Sequence, residues 1–229
     1  MKTIGILGGM SAASTQIYYR ELCEITRHRL GGLHSPELLI RSLDFAGIEA
    51  LQMRGEWHAA GALLNAEAKA LERGGAELLI LATNTMHKLV DLMMADVKIP
   101  FIHLADATAQ AIVVERLKSP ALIGTAFTME QSFYTDCLVA AGLSPVLPNA
   151  EDRAEIHRII YEELCKNIVT PESKAAYTAI AERLVKAGAD SLILGCTEVG
   201  MLISQGNVSV PVFDTTLIHC QAALDAALK

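Results

Sequence analysis

Short apolar runs alternate along this chain with longer stretches whose apolar positions recur every three or four residues. The short runs cover residues 2–7, 37–42, 77–82, 100–103, 121–124, 144–147, 191–195 and 210–213. They are too short for helices and predict strands. Runs such as Leu78-Leu79-Ile80-Leu81 and Leu192-Ile193-Leu194 are apolar at successive positions, which predicts strands buried on both faces. The longer stretches predict helices over 12–30, 56–73, 106–117, 129–141, 151–166 and 171–187. Further helices are expected after residue 82 as far as 91, over 198–202, and from 214 to the end. Residues 44–55, with Gln52 and Arg54, read as a polar-edged connection. Strand and helix in alternation predict an α/β fold with parallel sheets and right-handed crossovers.

The pattern occurs twice. Gly75-Ala76-Glu77-Leu78-Leu79-Ile80-Leu81-Ala82-Thr83-Asn84-Thr85 returns 113 residues later as Gly188-Ala189-Asp190-Ser191-Leu192-Ile193-Leu194-Gly195-Cys196-Thr197-Glu198. Ile99-Pro100-Phe101-Ile102 matches Val210-Pro211-Val212-Phe213. The opening Thr3-Ile4-Gly5-Ile6-Leu7-Gly8 matches Ser119-Pro120-Ala121-Leu122-Ile123-Gly124 at an offset of 116. Three matches in one order predict two similar Rossmann-like domains rather than a solenoid, whose period would be shorter. The expected division is 1–105 plus 214–229, and 106–213. Each domain should carry a mainly parallel four-stranded sheet, the two related by a pseudo-twofold axis with the active site in the cleft between them. Thr83 and Cys196 then occupy equivalent positions. Ligands of such sheets sit at the carboxyl ends of the strands, so the loops after Leu7, Ala82, Ile123 and Leu194 carry the candidate chemistry.

Composition narrows the classes. With 229 residues, 52% of them hydrophobic, the chain can bury one large core or two small ones. A net charge of −7 from 19 basic and 26 acidic residues argues against a nucleic-acid partner. No run is long enough for a membrane helix or a secretory signal. Five cysteines at wide spacing include no CxxC pair, so neither a disulfide framework nor a metal site is expected, and a reducing cytoplasm is the simplest compartment. Gly8-Gly9-Met10-Ser11, between a strand and a helix, can turn backbone N–H groups toward an anion. It lacks both the GxGxxG spacing and the Lys-Ser/Thr of a P-loop.

Each candidate has a plainer reading. A cysteine after a buried strand more often packs than reacts, but the equivalence with Thr83 and the following Thr197-Glu198 favour chemistry for Cys196. Thr83, Asn84 and Thr85 can cap a helix, as can Thr125 and Thr128. Glu198 can satisfy a helix end. Met10 reads as a cleft wall and Arg54 equally as a surface residue. His87, one turn into its helix, can hydrogen-bond a neighbouring strand or act in catalysis. Cys23, Cys137, Cys165 and Cys220 fall in helical patterns and read as core or neutral.

Taken together, the segments 4–10, Thr83-Asn84-Thr85-Met86-His87, Gly124-Thr125-x-x-Thr128-Met129 and Gly195-Cys196-Thr197-Glu198, closed by Pro211-Val212-Phe213-Asp214 and His219, resemble the aspartate/glutamate racemase family over nearly the whole chain. The resemblance implies a homodimer that racemises a small acidic amino acid without pyridoxal phosphate, metal or other cofactor. Family members use two cysteines on opposite faces of the α-carbon, because inversion needs an acid and a base on opposite sides. The second-domain cysteine faces the α-hydrogen of the L-enantiomer. A strand-to-helix junction at Cys196 suits a lowered thiol pKa.

This chain departs from the pattern at Thr83, which stands where the first cysteine is usual. A hydroxyl without an activating partner is a poor base, so a racemase favouring L-aspartate or L-glutamate is expected. The substrate contacts implied are Met10, Gln52, Arg54, Asn84, Thr85, Thr125, Thr128, Thr197 and Glu198. Arg54 and the glycine turn supply positive potential. Cys165 stands where many relatives carry a lysine, with Lys166 beside it. Two other functions fit the same residues. One is a single-cysteine decarboxylase or isomerase of the same superfamily acting on a small dicarboxylic acid. The other is a non-catalytic binding protein.

Overall fold

Each set of apolar runs forms its own parallel sheet in the computed structural model, which describes all 229 residues. The chain divides into two units, Met1–Leu104 with His219–Lys229, and Ala105–Ile218.

In the first unit, β1 (Ile4–Gly8) pairs on one side with β2 (Leu38–Ser42) and on the other with β3 (Leu78–Leu81), both parallel to it. Phe101 extends this sheet by a single bridge to Leu79. In the second unit, β4 (Pro120–Gly124) pairs with β5 (Ser191–Gly195), which pairs with β6 (Val212–Asp214). Val146 bridges to Ala121 on the far side of β4. Both sheets therefore run second–first–third–fourth in order of their segments. Each has three full strands rather than the expected four. The missing strands, around Phe101 and Val146, lie next to Pro100 and Pro145 respectively. Proline has no N–H to give a ladder, which favours short pairing there.

The conserved opening of the repeat has a physical cause. Gly75 and Gly188 both take positive φ, +100° and +102°, ending a helix in the left-handed region. The acid two residues on then holds the start of the neighbouring strand. The Thr3 N–H donates to Glu77 at 2.8 Å, and the Ser119 N–H donates to Asp190 at 3.0 Å.

Helices cover the sheets. α1 (Ala12–Leu30) starts at Ser11, whose side chain accepts the Ser14 N–H. α2 (Phe45–Met53) occupies what the sequence predicts as a connection; Asp44 caps it by accepting the Ala46 N–H. Its short length and internal Gly47 hide its period. α3 (Trp57–Arg73) follows. The helix expected after residue 82 is a 3₁₀ turn, Thr85–Leu89, and a single turn, α4 (Val90–Met93). α5 (Leu104–Val114) precedes β4. The helix expected over 129–141 starts earlier and divides at an extended Gln131 into α6 (Ala126–Glu130) and α7 (Ser132–Ala140). α8 (Ala150–Glu162) stops short of its predicted end in a 3₁₀ turn, Leu164–Lys166, closed by Asn167 at φ +59°. α9 (Pro171–Lys186) opens on a Thr170 cap with proline at its first position. α10 (Thr215–Ala227) ends the chain.

Alternate residues of one strand serve opposite faces. Ile4, Ile6, Leu78 and Ile80 pack with Tyr18 and Leu22 of α1 and with Cys220 and Ala223 of α10. Leu7, Leu79 and Leu81 pack with Ala60, Leu64 and Ala68, one stripe of α3. In the second unit Ile123, Leu192 and Leu194 pack with Ile156 and Ile160 of α8 and Tyr177 and Leu184 of α9. No helix is long and apolar enough to cross a membrane.

The turn after β1 admits only glycine. Gly9 has φ +85°, and a Cβ there would lie 2.2 Å from the backbone N and O of Leu43. Gly9→Ala should cost at least about 1–3 kcal/mol from backbone strain, before the clash is counted. Urea unfolding of the variant against the native chain measures it.

Candidate active site

The carboxyl ends of β3 and β5 carry the two paired positions, and the loops hold them in similar burial. Thr83 is 7% exposed and Cys196 8%.

In the first unit the turn after β1 is tied down from within. The Gly9 N–H donates to Thr15 Oγ1 at 2.7 Å, and that hydroxyl donates to the Ser11 carbonyl at 3.0 Å. The expected anion-binding turn has therefore committed the Gly9 donor to Thr15 and the Ser14 donor to Ser11. Met10 is buried in one cluster with Ile48 and Met86. Gln52, on α2, is buried and its Nε2 donates to Met86 Sδ at 2.9 Å. Asn84 and Thr85 are buried beside Thr83 in sequence. Met10, Gln52 and Met86 thus gather at the end of this sheet where Thr83 leaves β3. Arg54 differs. It is the C-cap of α2, its side chain is 57% exposed, and its Nε donates to Glu56 at 2.7 Å. That pairing raises the guanidinium pKa further.

His87 answers the question its sequence position raises. Its Nδ1 lies 2.7 Å from the Thr83 carbonyl, and the Leu104 N–H donates to its Nε2 at 3.2 Å. A carbonyl only accepts, so Nδ1 carries the proton and the ring is neutral. Burial, then His103 and His219, hold its pKa well below the ordinary histidine value. His219 is fixed similarly: Nε2 donates to the Ile102 carbonyl at 2.8 Å and Tyr18 donates to Nδ1 at 2.7 Å. Burial brings its pKa down to about 4, with His103 adding to the fall.

In the second unit, β4 and β5 come close together at their carboxyl ends. A Cβ on Gly195 would lie 2.9 Å from the Ile123 carbonyl oxygen, so only glycine fits immediately before Cys196. Cys196 Sγ donates to Glu198 Oε2 at 3.1 Å, and the Thr197 hydroxyl donates to the same oxygen. Glu198 is itself 3% exposed. Thr125 caps α6 by accepting the Thr128 N–H at 3.2 Å, and the two threonine hydroxyls are 3.1 Å apart. Thr125 is therefore a cap and Thr128 the residue it caps; binding would be an additional role for either.

The sequence points to a lowered thiol pKa at Cys196; the structure gives the reverse. The segment after it is a three-residue 3₁₀ turn, Val199–Met201, too short for a useful dipole. Burial first, then Glu198, then Cys165 push the Cys196 thiol well above its ordinary value. Cys165, in the 3₁₀ turn after α8, is pushed up to about 12, by burial and then by Glu198. At neutral pH Cys196 is therefore a thiol hydrogen-bonded to a carboxylate, and forms a thiolate only when that proton is taken. Alkylation of Cys196 should show a midpoint above that of free cysteine, near 8.5. Glu198→Gln should move that midpoint down by removing the neighbouring charge.

Sequence reasoning passed over His157, on α8. The Ala126 N–H donates to its Nδ1 at 3.2 Å, just after Thr125, so this ring braces the loop after β4. Burial lowers its pKa, with Glu130 opposing. A lone histidine on an amphipathic helix gives no sign of such a partner.

The family model for Asp/Glu/Hydantoin racemase matches residues 7–223. A crystal structure from Yersinia pestis, described as that of a candidate Asp/Glu racemase, is 43% identical, covers 100% of both chains, and superposes with a TM-score of 0.93. An aspartate racemase homologue from Pyrococcus horikoshii is 37% identical over 100% of both chains, with a TM-score of 0.88. Aspartate racemase from Picrophilus torridus shares the fold, with a TM-score of 0.81 over 100% of this chain and 95% of its own, at 21% identity. The chain belongs to the Asp/Glu/hydantoin racemase family.

Proposed function

We propose that this protein is a cofactor-independent racemase of aspartate or glutamate that is chemically one-sided, with Cys196 serving the L-enantiomer and Thr83 the opposite face of the α-carbon. One observation carries the reading: the repeat puts a thiol and a hydroxyl at the same place, the carboxyl end of the third strand in each sheet. The Cys196 thiol hydrogen-bonds Glu198 at 3.1 Å. Transfer of its proton to that carboxylate yields the thiolate, which then removes the α-hydrogen of an L-amino acid. The resulting carbanion, its charge spread into the α-carboxylate, takes a proton on the other face from the Thr83 hydroxyl or a water that it holds. The first step has a competent base once the thiolate has formed, since the surroundings that raise the thiol pKa also make that thiolate a stronger base. The second has a weak acid–base group. Met10, Gln52, Asn84, Thr85, Thr125, Thr128 and Thr197 supply walls and hydrogen bonds to the substrate, and Arg54 a cation for a carboxylate.

Arg54 can do this only by exchanging Glu56 for the substrate. Arg54→Ala should raise KM several-fold while changing kcat little, because a charge-assisted contact made equally in ground and transition states affects binding alone. Steady-state kinetics with L-aspartate and L-glutamate test it; an unchanged KM would return Arg54 to the surface.

A second reading draws on the same single thiol. Protonation of a carbanion on one face suffices for decarboxylation of a malonate-type acid. Proton NMR of L- and D-aspartate and L- and D-glutamate in heavy water, with a parallel decarboxylation assay, separates the two. Loss of the α-proton signal supports the racemase; carbon dioxide release without it supports the decarboxylase.

A further inference from the structure

We infer that His87 is a positioning residue for the one-sided racemisation, holding Thr83 in place through the neutral Nδ1–H tautomer. The inference rests on the role given to Thr83 above and deepens it. The ring bridges two otherwise separate pieces of the first unit. Its Nδ1–H donates to the Thr83 carbonyl at 2.7 Å, and its Nε2 accepts the Leu104 N–H at 3.2 Å. Leu104 is the first residue of α5, so His87 satisfies a donor that a helix start leaves without an intrahelical partner. The contact is not surface chance: His87 is 3% exposed, with the His103 ring 4.8 Å and the His219 ring 5.8 Å away, centre to centre.

Threonine makes such a backbone anchor effective. Its β-branch leaves few χ1 choices, so fixing the Thr83 backbone largely fixes where the hydroxyl points. The second unit solves the same problem differently. The residue equivalent to His87 across the repeat is Gly200, and the Cys196 carbonyl instead accepts the Val199 N–H at 3.1 Å. Side-chain support of the carbonyl is thus a feature of the hydroxyl side. It fits a group that is intrinsically weak and depends on placement. The neighbouring His103 and His219 also keep the ring neutral, since a second proton on it would face two more imidazoles and would cost the Leu104 bond.

Two substitutions separate this role from simple packing. His87→Asn keeps a donor near the Nδ1 position and loses the Nε2 acceptor. His87→Gln keeps a polar group near Nε2 and loses the Nδ1 donor. The measurement is solvent deuterium uptake by D-aspartate and by L-aspartate with each variant, compared as a ratio. In His87→Gln the D-side rate should fall about tenfold or more relative to the L-side, while His87→Asn should keep the ratio within about threefold of native, because misplacement by an ångström can cost a hundredfold. A packing role lowers both sides together, or affects both variants alike, and either result overturns the inference. Thr83→Ala is the control. If it leaves D-side uptake unchanged, Thr83 has no such role and both proposals fall. If it abolishes D-side uptake while His87→Gln leaves the ratio untouched, only the His87 inference falls.

Discussion

Cys196→Ser is expected to abolish racemisation and the α-proton exchange of the L-enantiomer while leaving the fold intact. Racemisation needs a base on the L-side, and the only thiol at the end of a central strand in the second unit is that of Cys196. A serine hydroxyl in its place can still donate to Glu198, so the buried carboxylate keeps a partner and the loop keeps its shape. It cannot become a comparable anion. The loss should be at least about 10²–10⁴-fold, the range of a single acid–base group. Because β5 and its glycine approach are untouched, the thermal midpoint should stay close to native. Exchange retained near the native rate would remove Cys196 from the mechanism. The raised thiol pKa adds a pH signature. Thiolate forms as pH rises, so L-side exchange should increase from neutral toward alkaline pH.

Thr83→Cys is expected to act in the opposite direction, as a gain. The enantiomers have equal free energy, so kcat/KM for racemisation must be the same from either side. On the proposed mechanism one-sidedness instead appears in isotope exchange, because Cys196 would remove and return a proton on its own face without Thr83. A thiol at residue 83 would give the second face a base of its own. Cysteine lacks the threonine methyl and is otherwise of similar size, so the buried site should accept it. His87 binds the carbonyl of residue 83, not its side chain, and that anchor survives the change. The variant should take up deuterium from D-substrate as readily as from L-substrate and racemise faster in both directions, by about 10²-fold if the weaker group limits the native enzyme. A variant that binds substrate but gains no D-side exchange would break the equivalence of Thr83 and Cys196.

Much of this is legible in the sequence. The repeat Gly-Ala-acid-strand predicted both sheets and both third strands, since it encodes a left-handed glycine and a carboxylate that clamps the next strand. Continuous apolar runs predicted strands buried on both faces. Short elements were less visible. α2 was hidden by Gly47, and the strands expected around Phe101 and Val146 were cut to single bridges beside prolines. Site chemistry was legible as residue types, less so as environment. Cys196 stood out by its spacing, but whether its pKa rises or falls depends on burial and on where the Glu198 carboxylate turns. His87 was visible in its motif, yet its tautomer depends on the Leu104 N–H seventeen residues away. His157 offered no sequence signal at all.

The most direct test of one-sided racemisation is the native protein in heavy water, with initial deuterium uptake measured by NMR for each enantiomer of aspartate and glutamate in turn. A thiol on one face and a hydroxyl on the other predict uptake much faster from the L-enantiomer than from the D-enantiomer for the true substrate, with slow racemisation alongside. Comparable initial uptake from both enantiomers would contradict it, and would make Thr83, or a water that it holds, as competent a base as the Cys196 thiolate.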